Sequence, residues 1–377
     1  MLSGERLRLG VVGTGTVAQA VHLPLLAKRC DLFELTAVCD VSPGTLAAVG
    51  DRFGVPPARR YASVPELLAD AGVDALAVLT SGSHGSVCDA AVRAGLPVMC
   101  EKPLAYTLAE ADTLASLEPR LLLGYMKLYD PATQRARELL SERPPPRAVE
   151  VTVLHPPAES QLEHVPRTLV DDVPEEVRIA LAEETESLLT HALGDAPALL
   201  RRLYSWELLG SVVHDLALVR NLVGDPVRCD HVDVWPDDGP RSLSILCTLP
   251  GDARLSIRWH YLEQYPAYRE TLVVHDERGS VGLSFPSPYL LHAPTELRVV
   301  DRDGAGERAV GFRSTVEAFE QELVAFHALA VDGTTPEASV AEGRADIATC
   351  QGIVAKLADL RELPIGGEAA PAEVAIR

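Results

Sequence analysis

The feature that most constrains the fold is the alternation of short apolar runs and amphipathic segments between Leu7 and Leu123. The apolar runs are nearly continuous, as is typical of strands buried on both faces of a parallel sheet. They are Leu7–Val12, Leu35–Cys39, Ala75–Leu79, Pro97–Cys100 and Leu121–Gly124. Strands that alternate with helices in this way predict an α/β fold with an N-terminal doubly wound parallel sheet.

The helical segments between these runs carry their own end signals. Thr107 followed by Glu110 predicts a capping box at the start of a helix over Leu108–Leu117. Pro65 lies early in its segment, where a helix tolerates proline. Gly95 follows Ser86–Ala94 and is a suitable helix stop.

The pattern changes after Gly124. Prolines 144–146 predict a turn before a strand over Ala148–Leu154, and alternating runs between Val227 and Val300 predict a mostly antiparallel sheet. Helices are predicted over Asp172–Leu203, Leu209–Leu222, Ser314–Val331 and Val340–Leu360. We therefore predict a Rossmann domain at 1–124, an α+β domain with an open sheet at 125–361, and a mobile tail at 362–377. The last helices are candidates for packing back onto the first domain.

Charge and cysteine usage limit the function classes. The 34 basic and 54 acidic residues give a net charge of −20, which argues against nucleic acid and anionic membranes as partners. No apolar run is long enough to span a bilayer, and no signal-peptide pattern is present at the N-terminus. The seven cysteines are scattered without a CxxC pair, which favours free thiols over disulfides or a metal site. We expect a cytoplasmic protein.

A glycine-rich turn follows the first predicted strand directly, with the sequence Gly13-Thr14-Gly15-Thr16-Val17-Ala18. The first glycine allows the tight turn, and the second allows backbone to approach a pyrophosphate. The start of the next helix then offers amide donors to the anion. The pattern predicts dinucleotide binding at Gly13, Gly15, Thr16 and Val17.

Asp40 ends the second predicted strand. An acidic residue at this place accepts hydrogen bonds from the adenosine ribose and repels a 2′-phosphate, so it favours NAD over NADP. The alternative is a turn or N-cap aspartate before Ser42. Three arginines remain candidates for reaching a phosphate, namely Arg52, Arg59 and Arg60.

Lysine is scarce in this chain, since arginine supplies 30 of the 34 basic residues. The four lysines are Lys28, Lys102, Lys127 and Lys356. Lys102 is kept in a Glu-Lys-Pro turn, which suggests a need for an amine that can lose its proton, as arginine cannot. The alternative is a solvated surface lysine in a loop.

Together these residues resemble the Gfo/Idh/MocA family of NAD(P)-dependent oxidoreductases. The resemblance runs in family order over most of the chain, through residues 73–80, 90–98, 101–105, 124–131 and 214–220 and the last two helices. It implies that Glu101 and Lys102 lie beside the nicotinamide, where Lys102 bonds the reacting oxygen and helps to move its proton. It also implies that Thr80, Ser81 and His84 line the nicotinamide ribose, although this loop departs from the usual Thr-Pro-Asn-x-x-His.

The resemblance further implies that His214 is an acid/base residue. The family motif is Asp-x-x-x-His, but here Gly210 stands where the carboxylate is expected. His214 acts alone in one reading, and Glu207, Tyr204, Tyr129 or Tyr125 substitutes in another. Further substrate candidates are Lys127, His155 and His164, while most carboxylates of Pro156–Ser205 are expected to form a solvated face.

The implied function is NAD-dependent transfer of hydride to or from a secondary alcohol of a sugar, nucleotide-linked sugar or cyclitol. One alternative is reduction of a C=N or C=C bond, and another is a ligand sensor or scaffold without catalysis. The arginine and alanine bias suggests a GC-rich bacterial genome and allows a role in specialised metabolism. An open apolar sheet face in the second domain predicts a homodimer or homotetramer.

Overall fold

The computed structural model describes residues 6–69, 72–238 and 241–370, which fold into two compact units. Unit 1 contains the chain up to Tyr125 together with His164–His191 and Phe319–Ile347. Unit 2 contains Met126–Glu163, Ala192–Ala318 and the chain from Ala348 onward. Each unit is thus assembled from separate stretches of sequence, and the continuous domain limits expected from the sequence stay a prediction.

Unit 1 is built on a six-stranded sheet with the order β3-β2-β1-β4-β5-β6, in which every pairing is parallel. The strands are β1 (Leu7–Val12), β2 (Phe33–Cys39), β3 (Arg60–Tyr61), β4 (Ala75–Val78), β5 (Val98–Glu101) and β6 (Leu121–Gly124). The order reverses direction at β1, as in a doubly wound dinucleotide-binding sheet. This confirms the predicted fold class. Only β3 was missed, because two residues give no periodicity to detect.

The helices of the two units differ most from expectation between residues 172 and 223. The helices are α1 (Leu23–Lys28), α2 (Pro43–Phe53), α3 (Val64–Ala69), α4 (Gly85–Arg93), α5 (Leu108–Ala115), α6 (Pro131–Ser141), α7 (Ala158–Leu162), α8 (Glu175–Leu193), α9 (Ala198–Arg202), α10 (Val213–Val223), α11 (Ala318–Asp332) and α12 (Val340–Leu360). π-Helical segments precede α1 and α10, at Ala18–His22 and Leu203–Val212. Helix α8 ends at Gly194, which has a φ of +62°, and Pro197 then starts α9.

Unit 2 is built on an eight-stranded sheet with the order β14-β13-β12-β11-β7-β10-β9-β8. The strands are β7 (Ala148–His155), β8 (Arg228–Trp235), β9 (Ser242–Thr248), β10 (Arg254–Tyr261), β11 (Arg269–His275), β12 (Gly279–Phe285), β13 (Glu296–Asp303) and β14 (Gly306–Arg313). Only β7 and β10 pair in parallel. The mostly antiparallel sheet confirms the second part of the fold prediction.

The two faces of the unit 2 sheet differ in polarity. Leu255 and Ile257 of β10 are buried, whereas Ser256 and Arg258, which alternate with them, are on the more exposed face. Thr152, Thr271 and Arg298 are on that same side of their strands by alternation. The apolar residues of the strands therefore form the core of unit 2, and the open face is more polar than the sequence pattern suggested.

Two further expectations concern the ends of the described chain. Gly366 donates its backbone N–H to the Leu193 carbonyl at 2.9 Å, and Gln351 donates to Glu368 at 2.8 Å. Residues 366–370, part of the predicted mobile tail, are thus held within unit 2. Residues 371–377, the end of that tail, lie outside the described residues. Within the described ranges, no helix has the length and apolarity needed to cross a membrane.

A buried ion-pair network joins three parts of unit 2. Arg143, just after α6, donates to Asp276 at 2.5 Å and to Asp301 at 2.7 Å. Its side chain is 4% exposed and that of Asp276 is 1% exposed. The two carboxylates belong to the β11–β12 turn and to β13, so the guanidinium connects helix and sheet.

We expect Asp276→Ala to lower the free energy of unfolding by about 3–5 kcal/mol, because it leaves a buried guanidinium short of a partner. Glu138→Ala is the control. Glu138 pairs with Arg135 on the exposed surface of α6, so its loss should cost no more than ~1 kcal/mol. Urea titration of both variants measures the difference. Equal costs would contradict the role given to Arg143.

Candidate active site

The glycine-rich turn at the end of β1 contains two glycines with different roles. Gly13 has a φ of +89°, and a Cβ there would lie 2.7 Å from the backbone of Leu79 and Thr80. Only glycine fits at this position, because the loops after β1 and β4 touch through their backbones. A Cβ on Gly15 would meet no atom within 4 Å. The space beside Gly15 is therefore open to a ligand, which fits the close approach of a pyrophosphate.

Thr16 and Val17 form the first turn of the helix that follows. Backbone N–H groups in a first helical turn lack intrahelical acceptors and suit an anion. The first backbone hydrogen bond of this helix runs from the Gln19 N–H to the Gly15 carbonyl, at 3.1 Å. The arrangement is the one that the sequence predicted for the phosphate-binding turn.

Asp40 directly follows β2, and its carboxylate is only partly buried. One oxygen accepts hydrogen bonds from the Thr14 N–H at 2.7 Å and the Thr14 hydroxyl at 2.8 Å. The other accepts from the Ser42 N–H at 2.9 Å. Ser42 itself is the N-cap of α2, so Asp40 is not the cap. Asp40 instead holds the glycine-rich turn against the end of β2, and its bond to the Ser42 N–H is that of a turn aspartate, which was the other alternative; its role toward a ribose stays a prediction.

The three arginines that were candidates for a phosphate bond oxygens of the protein itself. Arg52 donates to the Pro166 carbonyl at 2.8 Å, and Arg59 donates to the Thr36 carbonyl at 3.2 Å. Arg60 donates to Asp51 at 2.7 Å and to two carbonyls. Each guanidinium thus has a structural partner.

The Glu-Lys-Pro turn begins at the last residue of β5. Glu101 is buried, and its carboxylate lies 2.8 Å from Nε2 of His22. The Lys102 N–H donates to the other carboxylate oxygen at 3.2 Å. Burial opposes ionisation of Glu101, but the hydrogen bond and charge of His22 outweigh it and lower the pKa of Glu101. An ionised carboxylate is therefore held directly before Lys102, whose side chain is partly exposed.

A second carboxyl, Glu322 on α11, lies in the electrostatic field of Glu101. It is fully buried, and within the described ranges neither of its oxygens has a hydrogen-bond partner. Burial, followed by the charge of Glu101, raises the pKa of Glu322 well above its usual range. Burial and the charge of Glu101 thus both disfavour the ionised form of Glu322. Neither His22 nor Glu322 was predicted from the sequence. The available signal for Glu322 was a carboxyl on the apolar face of α11, beside Phe319 and Leu323.

His84 is buried between two loops at the same edge of the sheet. Its Nδ1 lies 2.5 Å from the Pro103 carbonyl and its Nε2 lies 2.9 Å from the Thr80 carbonyl. Burial lowers the pKa of His84. A neutral imidazole has one N–H and donates to one of these two carbonyls, and the ring lies between the loop after β4 and the Glu-Lys-Pro turn. Ser81 is exposed, and the Thr80 hydroxyl is buried without a partner among the described residues.

Unit 2 contains a separate buried charge cluster. Lys127 lies 2.5 Å from Glu270 on β11, and the Tyr268 hydroxyl donates to the other Glu270 oxygen at 2.5 Å. Asp215 on α10 is buried beside this group. Burial, and then the negative charge of Glu270, raises the pKa of Asp215 well above its usual range. Lys127 is therefore the cation beside two buried carboxyls, and burial disfavours the ionised form of Asp215.

His155, at the end of β7, connects to this cluster through aromatic contacts. Its ring centroid lies 5.6 Å from that of Tyr268 and 5.2 Å from that of Trp259. The structure thus brings the predicted residues Lys127 and His155 to the same group. His214 lies in the first turn of α10, one residue before Asp215, and is partly exposed. Asp215, Tyr268 and Glu270 were not singled out from the sequence, because Asp215 and Glu270 lie in ordinary helix and strand patterns and Tyr268 lies just before β11.

The remaining predicted residues lie elsewhere. Tyr125 is buried in unit 1 and its hydroxyl donates to Asp346 at 2.5 Å. His164 is exposed in unit 1. Tyr204 is buried in unit 2 near Gln351, and Tyr129 is buried there too. Their roles toward a substrate stay predictions.

Glu207 lies in the π-helical segment of unit 2 and is buried. Burial raises its pKa. Its nearest cations are Arg202 at 3.4 Å and Arg241 at 3.9 Å. A Cβ on Gly210 would meet only the Ser205 carbonyl within 4 Å. The position of the family carboxylate therefore has room for a side chain but carries none.

Residues 7–123 match the sequence profile of the Gfo/Idh/MocA family, described as an oxidoreductase family with an NAD-binding Rossmann fold. Among curated proteins, the chain is 32% identical over 130 residues to inositol 2-dehydrogenase of Salmonella typhimurium. It is 33% identical over 146 residues to inositol 2-dehydrogenase of Leifsonia xyli. These alignments cover 33% and 37% of this chain and 38% and 42% of the relatives, so the chain spans about two fifths of their length.

Solved structures share the fold over nearly the whole chain. An aldose-aldose oxidoreductase from Caulobacter crescentus is 18% identical with a TM-score of 0.70, covering 95% of this chain and 99% of that chain. The 3-ketoreductase KijD10 from Actinomadura kijaniata, solved with TDP-benzene and NADP, is 19% identical with a TM-score of 0.68, covering 93% and 97%. At these identities the likeness concerns the fold alone. Residues 7–123 thus match the NAD-binding Rossmann part of this family in sequence, and the chain as a whole is similar to these solved proteins in fold.

Proposed function

We propose that this protein is an NAD-dependent oxidoreductase that transfers hydride between the nicotinamide and a secondary alcohol or ketone. The observation that carries the proposal lies in unit 1. The glycine-rich turn, Asp40 and Lys102 follow β1, β2 and β5, and all three strands run parallel in one sheet. Their carboxyl ends therefore meet at one edge, which is where ligands bind in open α/β sheets.

The choice of NAD over NADP rests on Asp40. Its accessible carboxylate suits the two ribose hydroxyls and repels a phosphate ester. The bonds of Arg52, Arg59 and Arg60 to protein oxygens support the same preference, because a 2′-phosphate site calls for an available cation. KijD10, solved with NADP, has the same fold, so the preference belongs to the residues of this chain and not to the fold.

In the proposed reaction the bound nicotinamide accepts or returns the hydride. Lys102 Nζ takes the proton from the alcohol during oxidation and returns it during reduction. The Glu101 carboxylate before it accepts the Lys102 N–H at 3.2 Å and so orients the turn. His84 fixes the turn from the other side through the Pro103 carbonyl. His214 remains a proposed second acid/base group.

We further propose a polyol as the substrate, meaning a sugar, nucleotide-linked sugar or cyclitol. The curated relatives are inositol 2-dehydrogenases. The cluster of Lys127, Glu270, Tyr268 and His155 in unit 2 supplies the mixture of charged donors, acceptors and aromatic faces that hydroxyl-rich ligands need. No observation favours the imine-reductase, C=C-reductase or sensor alternatives. A cytoplasmic location and a homodimer or homotetramer stay predictions.

We expect Lys102→Ala to lower kcat by about 10²–10⁴-fold while NADH still binds, because the variant loses proton transfer and keeps the dinucleotide site. Lys356→Ala is the matched control. Lys356 is a lysine on α12 that pairs with Asp359, so its loss should leave turnover unchanged. Steady-state kinetics and calorimetric NADH titration give the two readouts. Full activity of Lys102→Ala would exclude the assigned role.

The buried acid Glu322 generates a pH prediction. Its folded pKa lies above the ordinary value of 4.5, so the folded state retains a proton that the unfolded chain releases. The contribution of Glu322 to the free energy of unfolding is therefore fully present below its ordinary pKa of 4.5, and it is lost as the pH rises from there through the folded pKa. Glu322→Gln cannot ionise, so its Tm relative to wild type should rise between pH 5 and pH 8 by about 2 °C or more. Parallel Tm curves for the two proteins would show that Glu322 is not protonated.

A further inference from the structure

A segment distant in sequence from the glycine-rich turn crosses the dinucleotide-binding face of unit 1. We call residues 166–172 the strap; they belong to the stretch whose carboxylates the sequence assigned to a solvated surface. The Thr168 backbone makes two hydrogen bonds with the buried Gln19 side chain, at 2.7 Å and 2.8 Å. Gln19 lies in the helix that follows the glycine-rich turn and also donates to the Thr14 carbonyl at 2.8 Å. The strap is thus anchored directly behind the phosphate-binding turn.

The other end of the strap reaches the start of α2. The Val170 N–H donates to the Thr45 hydroxyl at 2.9 Å. One Asp172 oxygen accepts from the Ser42 hydroxyl at 2.5 Å, and the other accepts from the Gly44 N–H at 2.7 Å. The carboxylate of Asp172 therefore occupies the donors at the beginning of α2 although it is distant in sequence.

The Gly44 N–H lies in the first turn of α2 and lacks an intrahelical acceptor, so Asp172 also caps this helix. Ser42 already fills the N-cap role by accepting from the Thr45 N–H at 3.1 Å. Asp172 adds a second negative charge at the same place, since Asp40 bonds the Ser42 N–H and Asp172 bonds the Ser42 hydroxyl. Ser42 is thus flanked by two carboxylates from different parts of the chain.

This location has a defined meaning in a dinucleotide-binding sheet. The residue that ends β2 faces the adenosine ribose, and a group nearby accommodates the 2′-phosphate when the cofactor is NADP. Here the nearby group is a carboxylate that uses the Gly44 N–H and the Ser42 hydroxyl, two donors of the kind that a phosphate would need. The Asp172 side chain is itself largely exposed, so an approaching phosphate meets its charge directly.

We propose that Asp172 is a specificity-determining residue, which excludes dinucleotides that carry a 2′-phosphate by occupying the donors at the start of α2. The proposal rests on the proposed NAD-dependent function and adds a determinant outside the β2 carboxylate. It also gives the strap a role, because the bonds of Thr168 and Val170 hold the carboxylate in place.

The test is calorimetric titration of NADH and NADPH into the full-length wild type, Asp172→Asn and Asp172→Lys. We expect the ratio of the NADPH Kd to the NADH Kd to fall by about tenfold in Asp172→Asn, which corresponds to ~1.4 kcal/mol. Asp172→Lys should lower the ratio further, because it adds a cation. The matched control is Asp171→Asn, which removes the same charge from the neighbouring residue. Asp171 is 92% exposed and lies 3.5 Å from Arg178, so the ratio should not change.

Each outcome bears on a different claim. An unchanged ratio in both Asp172 variants, with NADH binding intact, would overturn this inference and leave the proposed function standing. Equal falls in Asp171→Asn and Asp172→Asn would also overturn it, because the effect would then follow from net charge alone. Binding of neither cofactor by the wild type would overturn the proposed function and the inference together.

Discussion

The hydrogen bond between the buried Glu101 carboxylate and His22 is the interaction on which the carboxyl edge of the unit 1 sheet depends. An ionised carboxylate without water costs several kcal/mol unless it is paired and hydrogen-bonded. His22 supplies the partner from the helix after the glycine-rich turn, and the Lys102 N–H supplies a second donor. One side chain thus links the phosphate-binding helix to the Glu-Lys-Pro turn. The charge of Glu101 also adds to the effect of burial in raising the pKa of Glu322.

The two ends of the proposed dinucleotide site differ in their charged groups and in how these groups are paired. At the nicotinamide end the ionised Glu101 precedes a lysine, the residue type suited to proton transfer. At the adenosine end two carboxylates surround Ser42, and neighbouring arginines are bonded elsewhere. The glycine-rich turn between them has open space at Gly15. Under the proposed function, the turn accepts the pyrophosphate and the two carboxylates disfavour additional negative charge at the ribose.

The fold was predictable because its signals are local. Continuous apolar runs identify buried parallel strands, and alternation identifies the second sheet, so most strands and helix α12 fall where the sequence places them, whereas β3 and β14 lie outside the predicted runs. The glycine-rich turn and Asp40 were recognisable for the same reason. What escaped prediction is what depends on distant contacts. Glu322 reaches the field of Glu101 from α11, and Asp172 reaches Ser42 across 130 residues. The Lys127–Glu270 pair spans 143 residues, and no periodicity records such partners.

Hydride transfer itself is measured most directly with a deuterated substrate. Wild-type protein incubated with NAD and carbon-deuterated inositols or aldoses should give reduced cofactor that carries one deuterium, detected by mass spectrometry. The label should be absent with Lys102→Ala at equal NAD occupancy. If NAD binds but no polyol or sugar transfers deuterium to it, the account of this protein as a polyol oxidoreductase is contradicted.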